Sequence, residues 1–109
     1  MAIYLTHTAR EGMREIFEYN AKYTVEFAIT FAEKVNRFLF DRLSEHPRSG
    51  TLYNPEKDIF RLVYRYRRRS VNIYYIAKDD DIYVIYVLDG RVKLNAILET
   101  SNAEIPPLS

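Results

Sequence analysis

A chain of 109 residues, 48% hydrophobic and 28% charged, has room for one domain around one core and is too apolar for a disordered segment. No apolar run approaches the roughly 20 residues that cross a bilayer, no signal-peptide pattern opens the chain, and the lack of cysteine removes disulfides and thiolate chemistry; a cytoplasmic protein without membrane contact is expected. The net charge of +1 is uninformative as a sum, but Lys57, Arg61, Arg65, Arg67, Arg68 and Arg69 stand against the single acid Asp58, so this segment is expected to meet a local anionic partner, phosphate or acidic protein.

Residues 3–6, Ile-Tyr-Leu-Thr, read as a short strand rich in β-formers. Thr8 and Glu11 have the spacing of a capping box, which predicts a helix from residue 9 to about residue 22. Its apolar side carries Met13, Ile16, Phe17, Asn20 and Tyr23, and Gly12 weakens it by about 1 kcal/mol relative to alanine. Thr24 is placed to cap a second helix. Phe27, Ala28, Phe31, Val35, Phe38, Leu39 and Leu43 recur at three- and four-residue spacing, the pattern of an amphipathic helix. Pro47, which disfavours helix at His46, ends it after roughly 30 Å. The short link at Tyr23 and Thr24 makes the pair an antiparallel hairpin.

Residues 48–58 contain Gly50, Asn54 and Pro55 and read as a loop. Three alternating segments follow. In the first, Phe60, Leu62, Tyr64 and Tyr66 point one way while Arg61, Val63, Arg65 and Arg67 point the other. A turn at residues 68–70 leads to the segment 71–77, and a turn at residues 79–81 leads to 82–88. That last segment is apolar on both faces, which predicts a central strand covered on each side. Residues 92–98 fit either a short helix or an edge strand, and residues 99–109 a flexible tail. The expected fold is α+β: an N-terminal strand and an antiparallel helix hairpin packed on a small antiparallel sheet.

Residues 8–19, Thr-Ala-Arg-Glu-Gly-Met-Arg-Glu-Ile-Phe-Glu-Tyr, have an alanine at the helix start followed by an Ile-x-x-Tyr element. Ala28 and Phe31 precede a Leu-x-x-x-Pro-x-x-Gly element at Leu43, Pro47 and Gly50, and the segments 71–77 and 82–88 are followed by Gly90 and Arg91. In order and spacing the chain resembles the RelE/ParE superfamily of toxins from type II toxin–antitoxin pairs, over roughly residues 2–98. The resemblance implies a single toxin domain over residues 1–98 and a cognate antitoxin that wraps the hairpin and sheet. It also implies one of two activities. ParE-like members inhibit DNA gyrase by protein contact. RelE-like members cut messenger RNA on the ribosome, using basic residues and often a late tyrosine or histidine.

Even spacing puts Arg61, Arg65 and Arg67 on one strand face, where three guanidiniums can hold a phosphate and stabilise charge developing in phosphodiester cleavage. With Arg91 they would form a four-arginine cleft; the alternative is a solvated or antitoxin-covered face. The segment 88–98 has neither tyrosine nor histidine, so Tyr86 is the substitute that a ribonuclease reading offers, and alternation allows it to be a core residue instead. His7 and His46 share no metal-binding spacing with a carboxylate pair and read as structural. No nucleophile elbow and no glycine-rich phosphate loop is present, so no metal and no cofactor is expected. Three functions remain: a ParE-like toxin acting by contact, favoured by the long hairpin and the missing late acid–base residue; a RelE-like ribonuclease using Arg61, Arg65, Arg67, Arg91 and Tyr86; and a non-toxic family member that only binds.

Overall fold

The computed structural model describes residues 1–98 in full, the backbone of residues 99 and 100, and residues 105–109. It is an α+β fold. The elements in chain order are β1 (Ile3–Leu5), α1 (His7–Ala21), α2 (Val25–Glu45), β2 (Thr51–Asn54), β3 (Ile59–Tyr66), β4 (Arg69–Lys78), β5 (Asp81–Asp89) and α3 (Leu94–Thr100). The strands form one sheet in the order β1-β5-β4-β3-β2. The expected meander is there as β3, β4 and β5. The sheet is nevertheless mixed, because β1 runs parallel to β5.

Two corrections concern how the chain enters and leaves the hairpin. The N-cap of α1 is Thr6, not Thr8: its Oγ accepts from the Ala9 amide at 3.2 Å and donates to the Val84 carbonyl at 2.9 Å. A cap tied to the central strand outcompetes a purely local capping box, and Glu11 bonds Arg14 on the helix surface instead. The second correction is β2, which lies inside the expected loop. Its four residues carry no strong strand pattern, and Thr51 and Leu52 are exposed; pairing with Phe60 and Arg61 of β3 holds it in place. The cap of α2 is Thr24 as expected, its Oγ accepting from the Phe27 amide at 3.0 Å, and His46 leaves the helical conformation before Pro47.

The two hairpins of the meander each close over two residues. Tyr66 pairs with Arg69 across Arg67 and Arg68, and Lys78 pairs with Asp81 across Asp79 and Asp80. The expected turns at 68–70 and 79–81 are therefore each trimmed to two residues, the first starting one residue earlier. Arg67, Asp79 and Asp80 have φ of 58°, 53° and 65°, the left-handed backbone that tight hairpins use to match strand twist.

Side chains of the sheet divide into two cores. Phe31, Val35, Leu39 and Leu43 of α2 pack with Leu62, Val71, Ile73, Tyr75, Val84 and Val87 on one face. On the other, Ile59, Tyr74, Ile76 and Ile85 are covered by Leu94 and Leu98 of α3, so the segment after Arg91 is a helix, not an edge strand. β5 is thus buried on both sides. A register shift between Tyr74 and Tyr75 lets Ile85 and Tyr86 both join the second core. Residues 101–104 of the expected tail lie outside the described residues; beyond them Ile105 and Leu108 pack on the second core, and the Ser109 carbonyl accepts from the His7 amide at 2.9 Å.

α1 reaches the sheet through Gly12. A Cβ there would run into the carbonyl oxygen of Val87, a backbone atom of the central strand. Gly12→Ala, which in an exposed helix would gain up to about 1 kcal/mol, is therefore expected to lose about 1–3 kcal/mol through overpacking, measured by urea unfolding. A stabilised Gly12→Ala protein would show that α1 stands away from β5.

Candidate functional site

Phe60, Leu62, Tyr64 and Tyr66 face the helices, so Arg61 and Arg65 face the other way, as alternation requires. Arg61 sits with its guanidinium 5.2 Å from the Tyr53 ring and opposite Tyr74 in the ladder. Its Nε is buried without a hydrogen-bond partner. Burial, with Tyr53 adding to it, pushes the Tyr74 phenol above its ordinary range against the opposing pull of Arg61. Arg61 is thus packed between two tyrosines. Arg65, four residues further along the same face, is exposed.

Arg67 does not share that face. The strand ends at Tyr66, and Arg67, in the left-handed turn, lies 5.3 Å over the ring of Tyr66 on the helix side. Arg91 is on the helix side too, 5.8 Å from the Tyr19 ring of α1. The four arginines therefore do not form one cleft. Tyr86 stands opposite Tyr74 in the ladder, packed against the second core, and burial raises its phenol; its position is that of a half-buried packing residue.

A different group of side chains does converge. Arg69 opens β4 opposite Tyr66, and this register turns it toward the helices. Its guanidinium lies 5.9, 5.5 and 5.2 Å from the rings of Tyr19, Tyr23 and Phe27. Asp89, paired with Val71 on the same face, accepts from Arg91 twice, from Nε at 2.9 Å and from the backbone amide at 3.0 Å. Gly90 between them donates to the Ser70 carbonyl at 2.9 Å, and a side chain there would collide with Ser70. Tyr19, Arg68, Arg69, Ser70, Asp89 and Arg91 together line an open cleft of about 310 Å³.

The electrostatics of this cleft follow from those contacts. Burial pushes the Asp89 carboxyl up, but the hydrogen bonds from the side chain and amide of Arg91 outweigh it and hold it below the usual aspartate range. The Tyr19 phenol is drawn below its ordinary range by a hydrogen bond from Tyr23 and then by Arg91. Tyr23, donating that bond, is pushed above it. Chemically the cleft is a cationic seat with a polarised phenol on its wall, suited to binding an anion.

Sequence reading missed this grouping because its members come from three elements. The available signal was the four-residue spacing of Tyr19 and Tyr23 at the end of α1, together with the two-residue turn that sets the direction of Arg69. Tyr23, expected on the buried side of the helix, lies beyond the end of α1 and is exposed. His7 and His46 are exposed, and among the described residues no group of three or more histidine or acidic side chains is placed to hold a metal ion. No described helix is long and apolar enough to cross a membrane. Neither a family model nor a curated protein matches the chain.

In an alkaline titration followed by tyrosinate absorbance, Tyr23→Phe and Arg91→Ala are each expected to move the earliest phenol ionisation upward. An unchanged first ionisation in both variants would separate Tyr19 from the cleft.

Proposed function

We propose that this protein is the toxin of a type II toxin–antitoxin pair, acting in the cytoplasm as a ParE-like inhibitor of DNA gyrase by protein contact and neutralised by a cognate antitoxin. The proposal starts from the order of elements, a strand, a long helix hairpin and a three-stranded meander, which matches the layout expected of the RelE/ParE superfamily. The choice between contact and RNA cleavage turns on one observation. Arg61 and Arg65 lie on the face opposite Arg67 and Arg91, so the four guanidiniums expected around a scissile phosphate are divided between two sides of the sheet.

Phosphodiester cleavage needs charge stabilisation at one point, by donors held within hydrogen-bond reach of the developing oxyanion. Arg61 packed on Tyr53 and Tyr74, and Tyr86 seated in the second core, do not supply that. The exposed end of the hairpin supports the contact reading. Tyr23, Val25 and Ile29 are 64%, 58% and 45% exposed there, and solvent-facing aromatic and aliphatic side chains grouped together mark protein interaction surfaces.

Induced expression of the chain without an antitoxin is expected to arrest growth with a DNA-damage response, to leave messenger RNA intact, and to inhibit purified gyrase. All three effects should survive Arg65→Ala, an exposed position away from the hairpin. Transcript cleavage lost in Arg65→Ala would establish the RelE-like ribonuclease instead, and normal growth would favour a non-toxic binding protein.

A further inference from the structure

We infer that the open groove between α2 and the outer edge of β3 is the surface by which two copies of this chain pair about a two-fold axis, with their α2 helices antiparallel. This goes beyond the reading above. The groove lies along the second half of α2, and its lining includes none of Tyr23, Val25 and Ile29.

The groove exists because the sheet stops short. β2 pairs only with Ile59, Phe60 and Arg61 of β3, while β4 pairs with β3 as far as Tyr66. Among the described residues, no strand lies on the outer side of Leu62 to Tyr66. α2 runs beside this edge, and the groove of about 330 Å³ is lined at its middle by Phe38 and Tyr64, whose ring centroids are 4.9 Å apart. Charge is ordered along it. At the end near Tyr66, Lys34 and Arg67 lie 5.4 and 5.3 Å from that ring, and Arg37 follows one turn along α2. Asp41 and Glu45 stand at the other end. Arg42 is held between the ends, its guanidinium 5.2 Å from the Phe38 ring. Lys34, Arg37, Asp41 and Glu45 are exposed, and among the described residues none of the four is in an ion pair.

This order singles out the occupant. The pair Lys34 and Glu45 and the pair Arg37 and Asp41 are nested about nearly the same midpoint, level with Leu39. A two-fold axis there turns the helix end for end, so Lys34 of each copy meets Glu45 of the other, and Arg37 meets Asp41. One self-complementary patch thereby makes each contact twice. Lys34 and Glu45 are about 16 Å apart along the helix. That exceeds the roughly 8 Å over which physiological salt screens exposed charges, so a partner meets two ends of opposite sign and not their sum. A free anion fits only the cationic end, and a nucleic-acid backbone would run onto Asp41 and Glu45. A second copy carries the matching order by symmetry. Exposed ion pairs stabilise little individually, so they set the orientation while Phe38 and Tyr64 give the axis an apolar centre. The resulting dimer is weak and sensitive to salt.

Sedimentation equilibrium of the full chain is expected to show a monomer–dimer equilibrium that moves toward monomer as salt rises. Arg37→Asp and Asp41→Arg each place like charges opposite one another twice, and each should weaken the dimer by about tenfold or more. An equimolar mixture of the two variants restores opposite charges in the mixed dimer. Arg37→Asp combined with Asp41→Arg in one chain does the same. Both should recover most of the lost affinity. Pairing of Arg37 with Asp41 inside one helix, one turn apart, predicts no recovery on mixing. Circular dichroism unchanged in the single variants establishes that α2 is intact, and the combined variant provides a second reading should either single variant unfold. A chain that stays monomeric at every concentration, a dimer indifferent to both reversals, or reversals that recover neither on mixing nor in combination would overturn the inference.

Discussion

Successive residues of a strand project to opposite faces of a sheet, so a register, once set, sorts every side chain between the two sides. In this protein the sorting is set by two tight turns, Arg67–Arg68 and Asp79–Asp80, and by the burial of both faces of β5. Lengthening the first turn by one residue, so that the pairing slips by one, would exchange the faces of β4 relative to β3. Arg69 would then leave the aromatic rings of the hairpin, and Val71, Ile73 and Tyr75 would leave the core beneath α2. The hydrophobic cost of such a slip, several buried side chains at about 1.5–3 kcal/mol each, holds the register and with it the placement of the arginines.

The first helix meets this register at fixed points. Thr6 caps α1 while bonded to Val84, and Gly12 brings the helix against the Val87 carbonyl; both anchors are on β5. The end of α1 that carries Tyr19 is therefore positioned from the same strand that ends in Asp89 and leads into Arg91. That common origin brings residues distant in sequence into one cleft. On the opposite face, α3 covers Tyr74 and Ile85, and Arg61 is absorbed into the tyrosine packing at its margin.

Much of the fold was legible in the sequence because it follows from periodicity. The hairpin is written in Phe31, Val35, Leu39 and Leu43, and the central position of β5 in its two apolar faces. What escaped depended on contacts between distant segments. β2 is held by its pairing with β3, not by its own residues, and Thr6 prevails over Thr8 as a cap because Val84 is within reach. The candidate site divides in the same way. Alternation correctly put Arg61 and Arg65 together, but it was carried one step too far at Arg67, where the strand has already given way to a left-handed turn. Arg91 was grouped with them on sequence proximity to the sheet end, whereas Asp89 and Tyr19 draw it to the other face.

The separation of the arginines is most directly measured by side-chain nuclear Overhauser contacts on the labelled full chain. Contacts from Arg69 to the rings of Tyr19, Tyr23 and Phe27 and from Arg91 to Tyr19 are expected, with Arg61 reaching Tyr53 and Tyr74 alone among these rings. Contacts that place Arg61 and Arg91 against a common ring would contradict the division of charge between the two faces, and with it the preference for docking over cleavage.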